Sequence, residues 1–183
     1  MAKNYACVLD FGSSKITAMI GERGINNTFN IHGTSETEYA GFYEGEFLEP
    51  ERLKELVSST LTNVQANSGL EISKLFVGVP AEFSYATTKS AGISFNKRTK
   101  IGQDEIYSFL DMVSQDIKTD NSTIINRSAI YFVLDDNHKC MNPKGQVSTK
   151  LGGEISFILA DNSFIDLISN ILSEENIENI EFI

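Results

Sequence analysis

Apolar and polar residues along this chain alternate with two periods, and the switches between them mark the elements. Tyr5 to Leu9 is a short, nearly all-apolar run closed by Asp10, Gly12 and two serines, which predicts a buried strand ending in a tight turn. From Lys15 to Gly21, Ile16, Ala18 and Ile20 alternate with Thr17 and Met19, so the runs flanking the DFGSS turn form a hairpin. The turn signals at Gly24 to Asn27 precede a third strand near Phe29 to Thr34.

The period then lengthens. Pro50 opens a segment in which Leu53, Leu56, Val57, Thr60, Leu61 and Val64 recur at helical spacing, with proline in the first turn and Gly69 as the stop. Lys74 to Val79 is a continuous apolar strand of the kind covered on both faces. The first 80 residues thus read β-β-β-α-β.

After Pro80, alternation through Tyr85, Thr87, Ile93 and Phe95 predicts a strand or a bent pair. A helix follows from about Gln103, with Ile106, Phe109, Leu110, Val113 and Ile117 on one face. Ser128 to Leu134 and Glu154 to Leu159 read as strands separated by a polar loop holding Cys140, Asn142, Pro143, Gly145, Gly152 and Gly153. A last helix, capped by Asn162 or Ser163, carries Phe164, Leu167, Ile168, Ile171 and Leu172, and Glu178 to Ile183 reads as a further strand. Ending on an apolar strand suggests that the natural polypeptide continues.

Composition adds exclusions. With 183 residues, 41% hydrophobic and 22% charged, the chain has the make-up of a folded globular protein of one domain or two small lobes. Its formal charge of −10 opposes nucleic acid and bare anionic membrane. Lys97, Arg98 and Lys100 form one basic knot, read either as a solvated loop or as a contact for an acidic partner. Cys7 and Cys140 show no pairing logic and read as reduced cytosolic thiols. No run approaches the ~20 apolar residues of a membrane span. His32 and His138 lack ligand constellations, and Glu36, Glu38, Glu44, Glu46, Glu49 and Glu51 lack calcium-loop spacing, so the latter read as a solvated acidic loop.

The segment that carries chemistry is Asp10-Phe11-Gly12-Ser13-Ser14-Lys15 between two hydrophobic strands. Small side chains let backbone N–H groups and hydroxyls approach a phosphate tail, Asp10 would face a divalent cation through water, and Lys15 would reach a phosphate as a point charge. A hairpin whose Asp, Gly and Ser serve turn geometry alone is the competing reading. The D-F-G of protein kinases is set aside, because no glycine-rich loop or H-R-D segment precedes it.

The stretch LDFGSSKITAMIGE resembles the first phosphate loop of the actin and sugar-kinase superfamily, and within it the FtsA family. HGTSETEYAGFYEGEFLEPERLKELV is similar in its glycines, and IYFVLDDNHKCMNPKGQVSTKLGGEISFILAD resembles an FtsA strand, Asn-Pro-x-Gly loop and following strand. Phe11 and the VPAEF segment depart from the pattern. The resemblance implies an α/β fold: a partial actin-like, ribonuclease H-like subdomain with a mixed sheet, plus an inserted small α+β subdomain of β-α-β-β type. Residues 1–83 would begin subdomain 1A, 84–161 would form the 1C-like insert, and 162–183 would return to 1A.

By that resemblance the full-length protein binds ATP and magnesium, with Asp10, Gly12, Ser13, Ser14 and Lys15 as one wall of the site and Asp10 holding the metal through water. It links FtsZ filaments to the inner face of the membrane at the division site, meets other division proteins and self-associates into filaments, with the membrane helix in a C-terminal region outside this chain. This chain alone is expected to be non-catalytic and to bind no cofactor, and Lys97, Arg98 and Lys100 are the candidate partner contacts. A PilM-like pilus scaffold and a fragment of a sugar or acetate kinase are the alternatives.

Overall fold

The computed structural model describes residues 5–40, 42–43, 46–135 and 137–183. Strand β1 (Tyr5–Phe11) turns tightly into β2 (Lys15–Arg23), where the Gly12 N–H donates to the Lys15 carbonyl at 2.9 Å, and β3 (Phe29–Glu38) follows. Two-residue strands β4 (Phe42–Tyr43) and β5 (Glu46–Phe47) lead into α1 (Pro50–Ser68), which starts on proline and ends at Gly69 in the left-handed region, φ 66°. Then come β6 (Leu75–Gly78), β7 (Ser84–Lys100), α2 (Gln103–Gln115), β8 (Ser122–Val133), β9 (Lys139–Cys140), β10 (Val147–Asp161), α3 (Asn162–Glu174) and β11 (Ile180–Phe182).

Residues 1–84 and 161–183 form one compact unit and residues 85–160 a second. In the first, a five-stranded mixed sheet runs β11-β6-β1-β2-β3, with β1, β6 and β11 parallel and β2 and β3 antiparallel. Alternation along the strands puts Cys7, Leu9, Ile16, Ala18, Ile20, Leu75 and Val77 in a core shared with Leu53, Val57, Leu61 and Val64 of α1 and Phe164, Ile168, Ile171 and Leu172 of α3. Thr60, fully buried on the α1 stripe, is satisfied by bonds to the Leu56 carbonyl at 2.7 Å and the Thr37 hydroxyl of β3 at 2.6 Å. Four aromatic rings gather around Phe164, whose ring centroid lies 5.0 Å from Phe83, 5.7 Å from Phe11, 6.1 Å from Phe47 and 6.2 Å from Phe182. Phe83 lies one residue before Ser84, where the chain leaves this unit, and Phe164 three residues after Asp161, where it returns.

The second unit has its own sheet, in the order β7-β10-β8-β9, separate from the first. Its core joins Ile106, Phe109 and Val113 of α2 to Phe132, Leu151, Ile155, Phe157 and Leu159. The Asn142–Gly145 loop clasps the junction of β7 and α2. Asn142 Oδ1 accepts from the Lys144 N–H at 3.0 Å, Gly145 takes φ 88°, and Ile101 exchanges backbone bonds with Gly145 and Gln146, each at 2.8 Å.

Several details depart from the sequence reading. Of the two readings after Pro80 the single strand holds, 17 residues long, while the strands read at Ser128 and Glu154 begin earlier, at Ser122 and Val147. Cys140 belongs to a short strand opposite Phe132 and not to a loop. Gly152 and Gly153 also lie inside β10, where glycine serves close strand approach: a Cβ on Gly152 would meet the Ala91 carbonyl at 3.1 Å, and one on Gly153 would clash with the Tyr131 carbonyl. Asp161, not Asn162 or Ser163, caps α3, its Oδ1 accepting from the Ser163 N–H at 2.8 Å. Glu36 and Glu38 sit on β3 and not in a loop, while Glu44 lies outside the described residues.

Candidate functional site

The carboxyl ends of the parallel strands β1, β6 and β11 meet at one rim, the place where ligands bind in open α/β sheets. Asp10 is exposed at the end of β1, opposite Gly78 of β6. A Cβ built on Gly78 would lie 2.8 Å from Asp10 Oδ1, so the glycine gives the carboxylate its room. The Gly12–Lys15 bend follows, with Ser13, Ser14 and Lys15 exposed, and the Tyr39 N–H donates to the Ser14 carbonyl at 2.9 Å, tying the bend to the end of β3.

Ser13, Ser14 and Lys15 line a cleft of about 520 Å³ together with Glu38, Tyr39, Ala40 and Arg52. Asp10 and Gly12 are not among its lining residues; Asp10 belongs to β1 and Gly12 to the turn that follows it. Lys15 Nζ is 2.7 Å from Glu36 Oε1, and Arg52 Nη1 is 3.3 Å from Glu49 Oε2 one helical turn earlier. Burial of the Tyr39 phenol pushes its pKa up, Glu49 adds to the rise and Arg52 opposes it, so these three side chains share one electrostatic neighbourhood. Tyr39, Arg52 and Gly78 did not emerge from the sequence reading. Only the i,i+3 spacing of Glu49 and Arg52 in the first turn of α1 carried a local signal, and it said nothing of the cleft.

The donor set suits one side of a phosphate group: small turn residues, two hydroxyls, an ammonium and a guanidinium. Among the described residues no three His, Cys, Asp or Glu side chains converge to hold a metal ion, so Asp10 would meet a cation only as a single carboxylate. His32 is 3.4 Å from Glu22 across β2 and β3, away from the cleft. Lys97, Arg98 and Lys100 are exposed at the end of β7, in the other unit.

No protein-family model matches the chain. It is 26% identical over 144 residues, 79% of its length and 31% of the relative, to the cell division protein FtsA of Staphylococcus epidermidis. The chain resembles FtsA. The FtsA of Borreliella burgdorferi is 21% identical over 164 residues, 89% of this chain and 40% of that one, so the chain spans well under half the length of the FtsA relatives it matches. Among solved structures, a chain of the PilM–PilN type IV pilus biogenesis complex aligns over 97% of this chain and 46% of its own, with TM-score 0.53 and 9% identity. At that identity the likeness bears on fold alone, and it agrees with an α/β chain in which a partial actin-like subdomain carries an inserted small α+β subdomain. The same resemblance to FtsA drew on the Asn142–Gly145 loop, which here clasps the β7–α2 junction. Among the described residues no helix is long and apolar enough to cross a membrane.

Proposed function

We propose that this chain is the N-terminal part of a cell-division protein of the actin family, FtsA-like in kind, whose full-length form links FtsZ filaments to the membrane during septum formation and polymerises with ATP. The observation that carries this reading is the similarity to FtsA over 79% of the chain. In the full-length protein Asp10, Gly12, Ser13, Ser14 and Lys15 form one wall of a site for ATP and magnesium; the bound nucleotide would supply the polyphosphate and the cation that order the cleft. Residues 84–161 serve as the 1C-like interaction subdomain, with Lys97, Arg98 and Lys100 among its contacts.

The test uses the full-length protein. Co-sedimentation with FtsZ polymers on anionic vesicles, and a fluorescent fusion imaged in dividing cells, should give pelleting and a mid-cell ring. Absence of both overturns the reading. A PilM-like pilus scaffold is the second reading, favoured by the PilM–PilN alignment over 97% of the chain. A fusion that collects at pilus bases while FtsZ rings form without it would select that reading.

A further inference from the structure

We propose that Arg52 is a second anion-contacting residue of the Ser13–Lys15 cleft, and that Glu36 and Glu49 hold the two cations until a phosphate chain displaces them. The proposal rests on the reading of that cleft as a phosphate site and adds a residue and a regulatory contact to it. Lys15 and Arg52 are the cleft's two basic lining residues in a chain of formal charge −10, and they approach it from different elements, the β1–β2 bend and the first turn of α1. Arg52 stands on a firm base. Pro50 presets the turn, and Leu53 beside it is fully buried in the core.

The pairing geometry also fits exchange. Arg52 meets Glu49 through Nη1, one end of a planar fork that matches phosphate oxygens in pairs. That ion pair and the one between Lys15 and Glu36 are exposed at both partners, and solvent-exposed pairs of this kind are weak. Glu36 and Glu49 are not lining residues of the cleft, so each holds its cation from outside. A ligand with two or more linked phosphates brings more negative charge to Lys15 and Arg52 than the carboxylates it displaces. The occupant so selected is an oligophosphate, whether free or as the tail of a nucleotide.

The experiment is a titration of the isotope-labelled full-length protein with inorganic pyrophosphate, with ATP and with adenosine, followed by backbone amide shifts. Pyrophosphate and ATP should move Ser13, Ser14, Lys15 and Arg52, whereas adenosine should not. Pyrophosphate affinity should fall about tenfold in Arg52→Ala, a smaller amount in Arg52→Lys, and rise about twofold in Glu49→Gln, with melting temperatures unchanged. If Lys15→Ala weakens binding and Arg52→Ala does not, the role of Arg52 is refuted while the phosphate cleft stands. If pyrophosphate moves none of these amides in the parent chain, both the cleft reading and this extension fail. ATP binding without pyrophosphate binding would overturn the oligophosphate selection.

Discussion

Truncating Phe164 to alanine should remove a large share of the stability of the unit formed by residues 1–84 and 161–183. The ring is fully buried and touches four other aromatic rings, contributed by β1, β5, the turn before β7 and β11. Phe→Ala at a buried site costs ~3–5 kcal/mol, and the number of rigid neighbours that cannot collapse into the void puts this site toward the upper end. A folded domain holds only ~5–15 kcal/mol in total. With a urea slope of ~2 kcal/mol/M, the midpoint should drop by about 2 M. Amide exchange should locate the damage in β1, β6 and α1 and spare β8 and β10, whose core around Phe109 and Phe157 is a separate cluster. The cycle with Phe83→Ala should return a coupling of ~0.5–1.5 kcal/mol for the closest ring pair. A loss below about 1 kcal/mol would show that the cavity closes and that the aromatic cluster does not hold the returning helix.

Three further outcomes follow from particular contacts. Gly78→Ala removes a flexible strand glycine and meets only the Asp10 carboxylate at close range, so a thermal melt should be unchanged or raised by up to ~1 kcal/mol, and under the proposed function magnesium-dependent ATP binding by the full-length protein should fall in Gly78→Ala and in Asp10→Asn alike; unaltered binding would show that the Asp10 orientation is irrelevant. Burial pushes the Cys7 thiol from 9.0 up to about 12, so a thiol reagent near pH 8 should label the half-buried Cys140 and spare Cys7 until urea is added, and the stability held by the neutral Cys7 should be full below pH 9 and drain as pH rises toward 12. The Thr149 N–H and hydroxyl, at 2.8 and 2.7 Å, hold the Asp135 carboxyl below its usual 3.8, so the stability it contributes is present above that pH and lost as pH falls through the lowered value; Asp135→Asn should flatten the acid limb of the unfolding curve.

The amino-acid order alone determined what is local. The stripes on α1 and α3 follow from apolar residues three and four apart, the β1–β2 hairpin from alternation on either side of a glycine-serine bend, and the stop of α1 from Gly69. Strand lengths were less legible: Gly152 and Gly153 look like loop residues until β7 and β8 are seen pressing on β10. Only the tertiary structure decided that β11, last in the chain, pairs in parallel with β6, that Gly78 faces Asp10, and that Arg52 shares a cleft with Ser13 and Lys15. Periodicity reports which face of an element is buried. Which distant element buries it depends on shape and register summed over the whole core, and no short window of residues contains that sum.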